Sequence, residues 1–372
     1  MKRILMVGPA PPPYGGIAAV MENILQSRLA QQYCFDVFNK SDLFVPQISG
    51  ALERNYLRIK RWVTFFITLK KNPYAFVHLQ GSVWVFNGVV FYMILARLAG
   101  SRVLLHLHGT NWKWFYGEAS WFKRRVTKLG LRLPEKIIVL YDDWLRKIKD
   151  IEPAANVIVI PNWISTAPLP PGLDPSDAMK LFEIAPEDFI VISVGSVGWR
   201  KGTLDILKAV PEVSRSVPRV RFIFAGNEEF PGQWTEIMEQ VKANNLEEWV
   251  RFPGELPREV VISLLHLAHV FLLPSHSEGM PIAVIEAMKV GLPIVVTPVG
   301  AIPEMVQHEV SALMIPPDSP EAIAGSIIRL LGDEDLRKKL GRAAQSAFRE
   351  KFGAPMGIQL LSRVYSELAK DN

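Results

Sequence analysis

A chain of 372 residues is longer than one ordinary hydrophobic core organises, so two domains are expected. About 49% of it is apolar and 10% aromatic, which excludes a disordered or low-complexity protein. The net charge of +5 conceals a split: residues 1–150 carry 22 Lys and Arg against 9 Asp and Glu, a net of +13, which leaves −8 for residues 151–372. Halves of opposite sign face different partners.

The opening run "MKRILMVGPAPPPYGG" is too short and too soon broken by proline to be a signal peptide, so a cytoplasmic chain is expected. Its "RILMVG" predicts a strand ending in a Pro/Gly loop, and "GIAAVMENILQSRLA" a helix. Cys34 is the single cysteine, which excludes an internal disulfide and fits a reducing compartment. With no His or Cys neighbour it reads as a small buried hydrophobe. Between Arg54 and Lys71 the chain carries Arg54, Arg58, Lys60, Arg61, Lys70 and Lys71 and no acid, interleaved with Leu57, Ile59, Trp62, Val63, Phe65, Phe66 and Ile67.

"FVHLQG" predicts a second strand. The apolar stretch Val83 to Ala96 is interrupted by Asn87 and Gly88 and falls short of a membrane span, so it predicts a buried helix. "RVLLHLHG" predicts a third strand, followed by another basic and aromatic stretch: Trp112, Trp114, Phe115 and Tyr116, then Trp121, Phe122, Lys123, Arg124, Arg125 and Lys128. "KIIVLY" and "NVIVIPN" complete the first series. Apolar strands alternating with helices build a parallel sheet covered on both faces.

Thr166 to Asp177, "TAPLPPGLDPSD", predicts the connection to a second series: "FIVISVGS", "RFIFAG", "WVRFPG", "HVFLLPS", "PIVVTPVG" and "SALMIPP". "GDEDLRKKLG" looks like an acidic metal motif, but its place predicts a helix start, where acids suit the unpaired N–H groups; no metal is assigned. The apolar stripe Ile358, Leu361, Val364, Tyr365 and Leu368 predicts a C-terminal amphipathic helix that returns to the first domain. The expected architecture is two doubly wound parallel-sheet domains facing a cleft. Residues 1–165, completed by 355–372, form one domain and residues 166–354 the other.

Ligands of such sheets sit at the carboxyl ends of the strands. There "SHSEGMPIAVIEAM" places Glu278 in a loop and Glu286 in the helix that follows. Gly279, Met280, Pro281 and Ile282 lie between, where the first N–H groups of a helix can bind phosphate. A diphosphate seat between two polyol-binding carboxylates has the order of a nucleoside diphosphate sugar. The plainer reading is a helix cap for Glu278 and a solvated face for Glu286. "VGSVGWRKG" adds Arg200 and Lys201 before Gly202, cations suited to a leaving diphosphate. In the first half, Gly15 and Gly16 precede a helix, and His106 and His108 share one side of a strand. No further His or Cys stands near enough in sequence to complete a zinc set, so no metal is expected.

These motifs in this order, "EGMPIAVIEAM", "VGSVGWRKG", "GELP" and "VGAIPEMV", with the glycine loop "PPPYGGIAAV", resemble the retaining glycosyltransferases of family four, whose fold is GT-B. The resemblance implies that Glu286 binds the ribose and Glu278 the transferred sugar. It puts the backbone of Gly279, Met280 and Pro281 at the distal phosphate with Lys201 beside it. Gly254, Leu256 and Ile282 would line the donor, Gly15 and Gly16 would approach sugar and diphosphate, and His108 would be the active-site histidine; His106 is left structural. The family commonly has Arg where this chain has Ser196, so either Arg200 substitutes or diphosphate binding is weaker. The turn after "FIFAG", Asn227-Glu228-Glu229, also departs from the family's glycine-rich pattern.

The implied activity is transfer of a hexose from a nucleotide sugar, with retention and without cofactor or metal. The acceptor is expected to be an anionic, lipid-linked glycan for surface polysaccharide, met at an anionic membrane by the basic first half. No nucleic-acid motif accompanies the charge. The alternatives are a non-catalytic nucleotide- or glycan-binding protein on the same fold, or a sugar-nucleotide epimerase. A phosphorylase would need a pyridoxal-linked lysine, for which the chain offers no setting.

Overall fold

The computed structural model describes residues 1–9, 15–40, 51–109, 113–167 and 174–370. Pro11 to Tyr14 of the glycine loop, Trp112 and the middle of the predicted connection, residues 168–173, lie outside them. Two compact units are present, Met1–Ser165 with Ala354–Asn372, and Thr166–Gly353.

The first unit is built on β1 (Lys2–Gly8), β2 (Tyr33–Asn39), β3 (Tyr74–Ser82), β4 (Val103–His108), β5 (Lys136–Val139) and β6 (Val157–Val159), in the order β2-β1-β3-β4-β5-β6. All neighbours are parallel. The central strands are apolar runs without alternation because both faces are covered: every residue of β4 is buried, and Ile4 to Val7 of β1 are at most 1% exposed.

β2 was not among the predicted strands. It is an edge strand, paired with β1 alone, and its residues alternate in burial. The same position corrects the reading of Cys34, which is exposed, because an edge strand leaves part of its surface uncovered. Val83–Ala96 does contribute the buried faces of a helix, Phe86–Leu98. The C-terminal helix Ala354–Leu368 packs within this unit, burying Leu361, Val364, Tyr365 and Leu368.

The second unit carries β7 (Phe189–Val194), β8 (Val220–Ala225), β9 (Val250–Gly254), β10 (Val270–Leu273), β11 (Ile294–Val296) and β12 (Leu313–Met314), in the order β12-β11-β10-β7-β8-β9. These neighbours are parallel too. One side of its core joins Val191, Phe222, Val270 and Val295 of the sheet to Ile206, Val210 and Val213 of the helix Thr203–Ser216 and to Ile323 and Ile327 of Pro320–Gly332. Asp333 accepts from Leu336 N–H at 2.8 Å and so caps the helix Glu334–Ala347.

In each unit the strand order reverses once, between β1 and β3 and between β7 and β10. Loops diverge there at the carboxyl ends of the two strands and leave a crevice, the usual ligand position of doubly wound sheets.

Candidate active site

At the reversal in the second unit, the loop after β7 supplies Ser196, Arg200 and Lys201, and the loop after β10 supplies Ser275 to Pro281. The two loops are tied: His276 N–H donates to Arg200 O at 2.8 Å. Lys201 Nζ donates to Glu278 Oε1 at 2.5 Å, and Ser275 Oγ donates to the same oxygen at 2.7 Å. Both charged side chains are largely withdrawn from water, 13% and 6% exposed. Arg200 Nη1 donates to Ser277 O at 3.0 Å and lies 3.9 Å from Glu278 Oε2, while its Nη2 reaches Ser196 Oγ at 3.5 Å.

Glu278 therefore does not cap the next helix; it is the anionic centre of a small cationic cluster. The helix Ile282–Val290 starts after Pro281, which has φ −69° and makes no side-chain cap, so its first N–H groups are left for another acceptor. Met280 and Pro281 are buried, and Gly279 and Ile282 are half-buried. The loop is locked from β11's side, where Ala301 N–H donates to Gly279 O at 2.8 Å. Gly300, at φ +59°, makes this approach possible, since a Cβ there would lie 1.9 Å from Glu278 O.

Glu286 is not a solvated face residue either. Its side chain is 14% exposed and its Oε1 lies 3.3 Å from Arg258 Nη2. Burial pushes this carboxyl above its ordinary range, against the pull of Arg258 and Lys289. Gly254 ends β9 at φ +76°, with its carbonyl accepting from Gly226 N–H at 2.8 Å, and Leu256 follows half-buried.

Several residues of the cluster had no role assigned from the sequence. Glu229, from the atypical turn after β8, forms an ion pair with Arg200. Asn227 of that turn holds the loop after β9, donating to Glu255 Oε2 at 2.9 Å and accepting from Glu255 N–H at 3.1 Å. His276 is held between Asp205, 2.8 Å from Nε2, and Asp318, 3.3 Å from Nδ1, with Trp199 stacked on its ring. Ion-pair partners so far apart in sequence leave no spacing signal.

The first unit places its candidates by its own reversal. Gly15 is extended and Gly16 opens the helix Gly16–Leu25; a Cβ on either would meet nothing within 4 Å, so packing does not demand glycine. His108 ends β4, buried, with Nε2 2.7 Å from Gln80 Oε1. His106 stacks on it at 4.4 Å, and neither ring nitrogen of His106 has a hydrogen-bond partner among the described residues. Burial, aided by the nearby Lys40 ammonium, pushes His108 down to about 3. Lys40, also missed, donates to Gln80 O at 2.6 Å and is itself lowered by burial to about 8.

Residues 177–347 match the family described as glycosyl transferases group 1. This segment resembles a group 1 glycosyl transferase domain. The match takes in both loops of the Lys201–Glu278 cluster, Arg258 and Glu286.

Among curated relatives, this chain is 26% identical to the 2-deoxystreptamine N-acetyl-D-glucosaminyltransferase of Niallia circulans over 302 residues, 78% of this chain and 75% of that one. It is also 26% identical to the UDP-Gal:alpha-D-GlcNAc-diphosphoundecaprenol alpha-1,3-galactosyltransferase of Escherichia coli over 298 residues, 75% of this chain and 72% of that one. A shorter match, with the N-acetyl-alpha-D-glucosaminyl L-malate synthase of Bacillus anthracis, spans about half of that protein, 51%. In fold, the chain matches Anabaena HepE in complex with UDP-glucose at a TM-score of 0.79 and 18% identity, over 99% of this chain and 100% of that one. The fold is GT-B.

Proposed function

We propose that the protein transfers a hexose from a nucleoside diphosphate sugar to an acceptor hydroxyl with retention of configuration. The observation that carries this reading is the buried Lys201–Glu278 pair, with Arg200 beside it, at the strand-order reversal and ahead of an uncapped helix N-terminus. A diphosphate there would meet the Lys201 ammonium, the Arg200 guanidinium and the first N–H groups of Ile282–Val290. The guanidinium reaching Ser196 favours Arg200 as the substitute for the arginine the family commonly has at that position.

As the bond from the anomeric carbon to the diphosphate breaks, negative charge grows on the leaving group, where these cations lie. The acceptor oxygen bonds to the same face of that carbon and its proton passes to a leaving phosphate oxygen. Neither a protein nucleophile nor a metal enters this scheme. The bound UDP-glucose of Anabaena HepE and the UDP-Gal named for the Escherichia coli relative support a uridine donor. Incubation with a panel of nucleotide sugars, reading slow donor hydrolysis and thermal stabilisation, tests the reading. Stabilisation without hydrolysis or transfer would make the chain a binding protein, and neither effect would remove the donor assignment.

Glu286 adds a pH test. Its carboxyl group accepts hydrogen bonds from ribose hydroxyls at both oxygens, and most strongly, only when ionised, and burial raises its pKa. Donor affinity should therefore rise with pH through that raised range, and Glu286→Gln should weaken binding and flatten the profile. An unchanged profile in the variant would place the ribose elsewhere.

The acceptor we propose is lipid-linked and anionic, met at an anionic membrane surface. Among the described residues no helix is long and apolar enough to cross a membrane. The helix Ala51–Lys71 instead exposes one stripe, Leu52, Tyr56, Ile59, Val63 and Ile67, among its basic residues. The aromatic anchors expected there are corrected: Phe65 is core, and Trp62 stacks on Phe91. In the other basic stretch Phe115 is also core, whereas Trp121 and Phe122 are 70% and 62% exposed at the start of Trp121–Arg132. An apolar stripe flanked by cations suits the headgroup boundary, each cation contributing about 1 kcal/mol near an anionic surface. The diphosphoundecaprenol acceptor named for the Escherichia coli relative supports the same placement. Sedimentation with vesicles should show binding that rises with anionic lipid, falls with salt and drops on Ile59→Glu with Val63→Glu. Equal, negligible binding to neutral and anionic vesicles at low salt would point to a soluble acceptor.

A further inference from the structure

β3 and the C-terminal helix hold an ordered chain of buried polar groups behind His108. His108 Nε2 is 2.7 Å from Gln80 Oε1, Gln80 Nε2 is 3.2 Å from His78 Nε2, and His78 Nδ1 is 2.7 Å from Tyr365 Oη. Tyr365 in turn donates to Met6 Sδ at 3.8 Å. Gln80, His78 and His108 are at most 6% exposed and Tyr365 is fully buried, so water cannot substitute for a lost partner.

We propose that Tyr365 is a positioning residue that, through His78 and Gln80, fixes the tautomer of His108 with its proton on Nε2 and its Nδ1 lone pair as a hydrogen-bond acceptor.

The donors and acceptors run in one direction. The Gln80 carboxamide oxygen faces His108 and only accepts, so in this orientation His108 Nε2 carries a proton toward Gln80 Oε1. In the same orientation the carboxamide nitrogen faces His78 and only donates, which makes His78 Nε2 the bare nitrogen. A neutral His78 then has its proton on Nδ1 and donates it to Tyr365 Oη, and the phenol hydrogen turns to Met6. Burial keeps every member neutral: His78 and His108 are both pushed down to about 3, and the Tyr365 hydroxyl is pushed well up. The charged group facing the chain is Lys40, whose ammonium rests on the Gln80 carbonyl and disfavours an imidazolium at His108. His106, stacked on the rings of His78 and His108 at 5.6 and 4.4 Å, adds no hydrogen bond among the described residues.

The consequence rests on the proposed sugar transfer: His108 would accept a substrate hydroxyl at Nδ1 without taking its proton. Removing the Tyr365 hydroxyl leaves the His78 Nδ1 proton buried without an acceptor. Moving that proton to Nε2 sets it against the Gln80 amide, so Gln80 turns over and His108 has to carry its proton on Nδ1.

Long-range nitrogen–proton correlation on the full chain labelled with nitrogen-15 histidine reads both tautomers. The wild type should show His108 protonated on Nε2 and His78 on Nδ1. Tyr365→Phe should move His108 toward the Nδ1-protonated form and lower kcat about tenfold with donor KM little changed, the lower end of what losing an outer hydrogen-bond partner costs. Gln80→Glu in that background, whose carboxylate only accepts, should return His108 to the Nε2 form and restore kcat. A wild-type His108 protonated on Nδ1, or His108 signals unmoved in Tyr365→Phe, would overturn the proposal. If the wild type turns over no nucleotide sugar, the sugar-transfer reading fails, while the tautomer measurement still decides the relay.

Discussion

Lys201→Ala is expected to lower turnover roughly a hundredfold or more, the usual loss when one preorganised group facing a developing charge is removed. The loss should fall on kcat more than on donor KM, because in the proposed transfer charge on the leaving diphosphate grows between ground and transition states. The same substitution strips Glu278 of the ammonium 2.5 Å from its Oε1, leaving Ser275 and an Arg200 nitrogen 3.9 Å away. Breaking a buried pair from one side costs about 3 kcal/mol or more, so the thermal midpoint should fall as well. Turnover per folded molecule separates the two effects. Lys201→Met with Glu278→Gln should recover much of the stability and none of the turnover. A Lys201→Ala protein with wild-type kcat per folded molecule would remove the lysine from the reaction.

Mild acid should destabilise the protein steeply, because His78, His106 and His108 are buried and neutral. Their folded pKa values are depressed, to about 3 for His78 and His108, while in the unfolded chain an imidazole titrates near its ordinary 6.5. Above that value their contribution is fully present. Below it the unfolded chain takes up protons that the fold refuses, and stability falls until the folded values near 3 are reached. Each imidazole accounts for on the order of 1 kcal/mol per pH unit. His106→Leu isolates the effect, since neither nitrogen of that ring has a partner among the described residues. The variant should be more stable by about 1–3 kcal/mol, the cost of an unsatisfied buried polar group, and should lose stability less steeply between pH 6.5 and 4. Denaturant midpoints across that range provide the check. A midpoint flat from pH 7 to 5 in the wild type would contradict the burial argument.

The chain by itself determined the local features. All six strands of the second unit were legible because each is a short apolar run bounded by Gly or Pro, the mark of a strand buried on both faces. Glu278, Lys201 and the start of Ile282–Val290 were legible for a similar reason: strand, glycine loop and helix follow one another without interruption, so each residue can be placed from its own local unit, after β7 for Lys201 and after β10 for Glu278. Tertiary structure decided whatever depends on neighbours distant in sequence. β2 escaped notice because an edge strand buries too little to show an apolar run, and the same exposure overturned the reading of Cys34. Phe65 and Phe115 looked like membrane anchors until packing made them core and left the outer face of Ala51–Lys71 to Leu52, Tyr56, Ile59, Val63 and Ile67. Arg258 for Glu286, Glu229 for Arg200, and Tyr365 for His78 lie 28, 29 and 287 positions from the groups they hold. A hydrogen bond or ion pair acts over about 3 Å in space and leaves no periodicity along the chain, so those partners emerged only when the sheets, and the helix that returns to the first of them, were assembled.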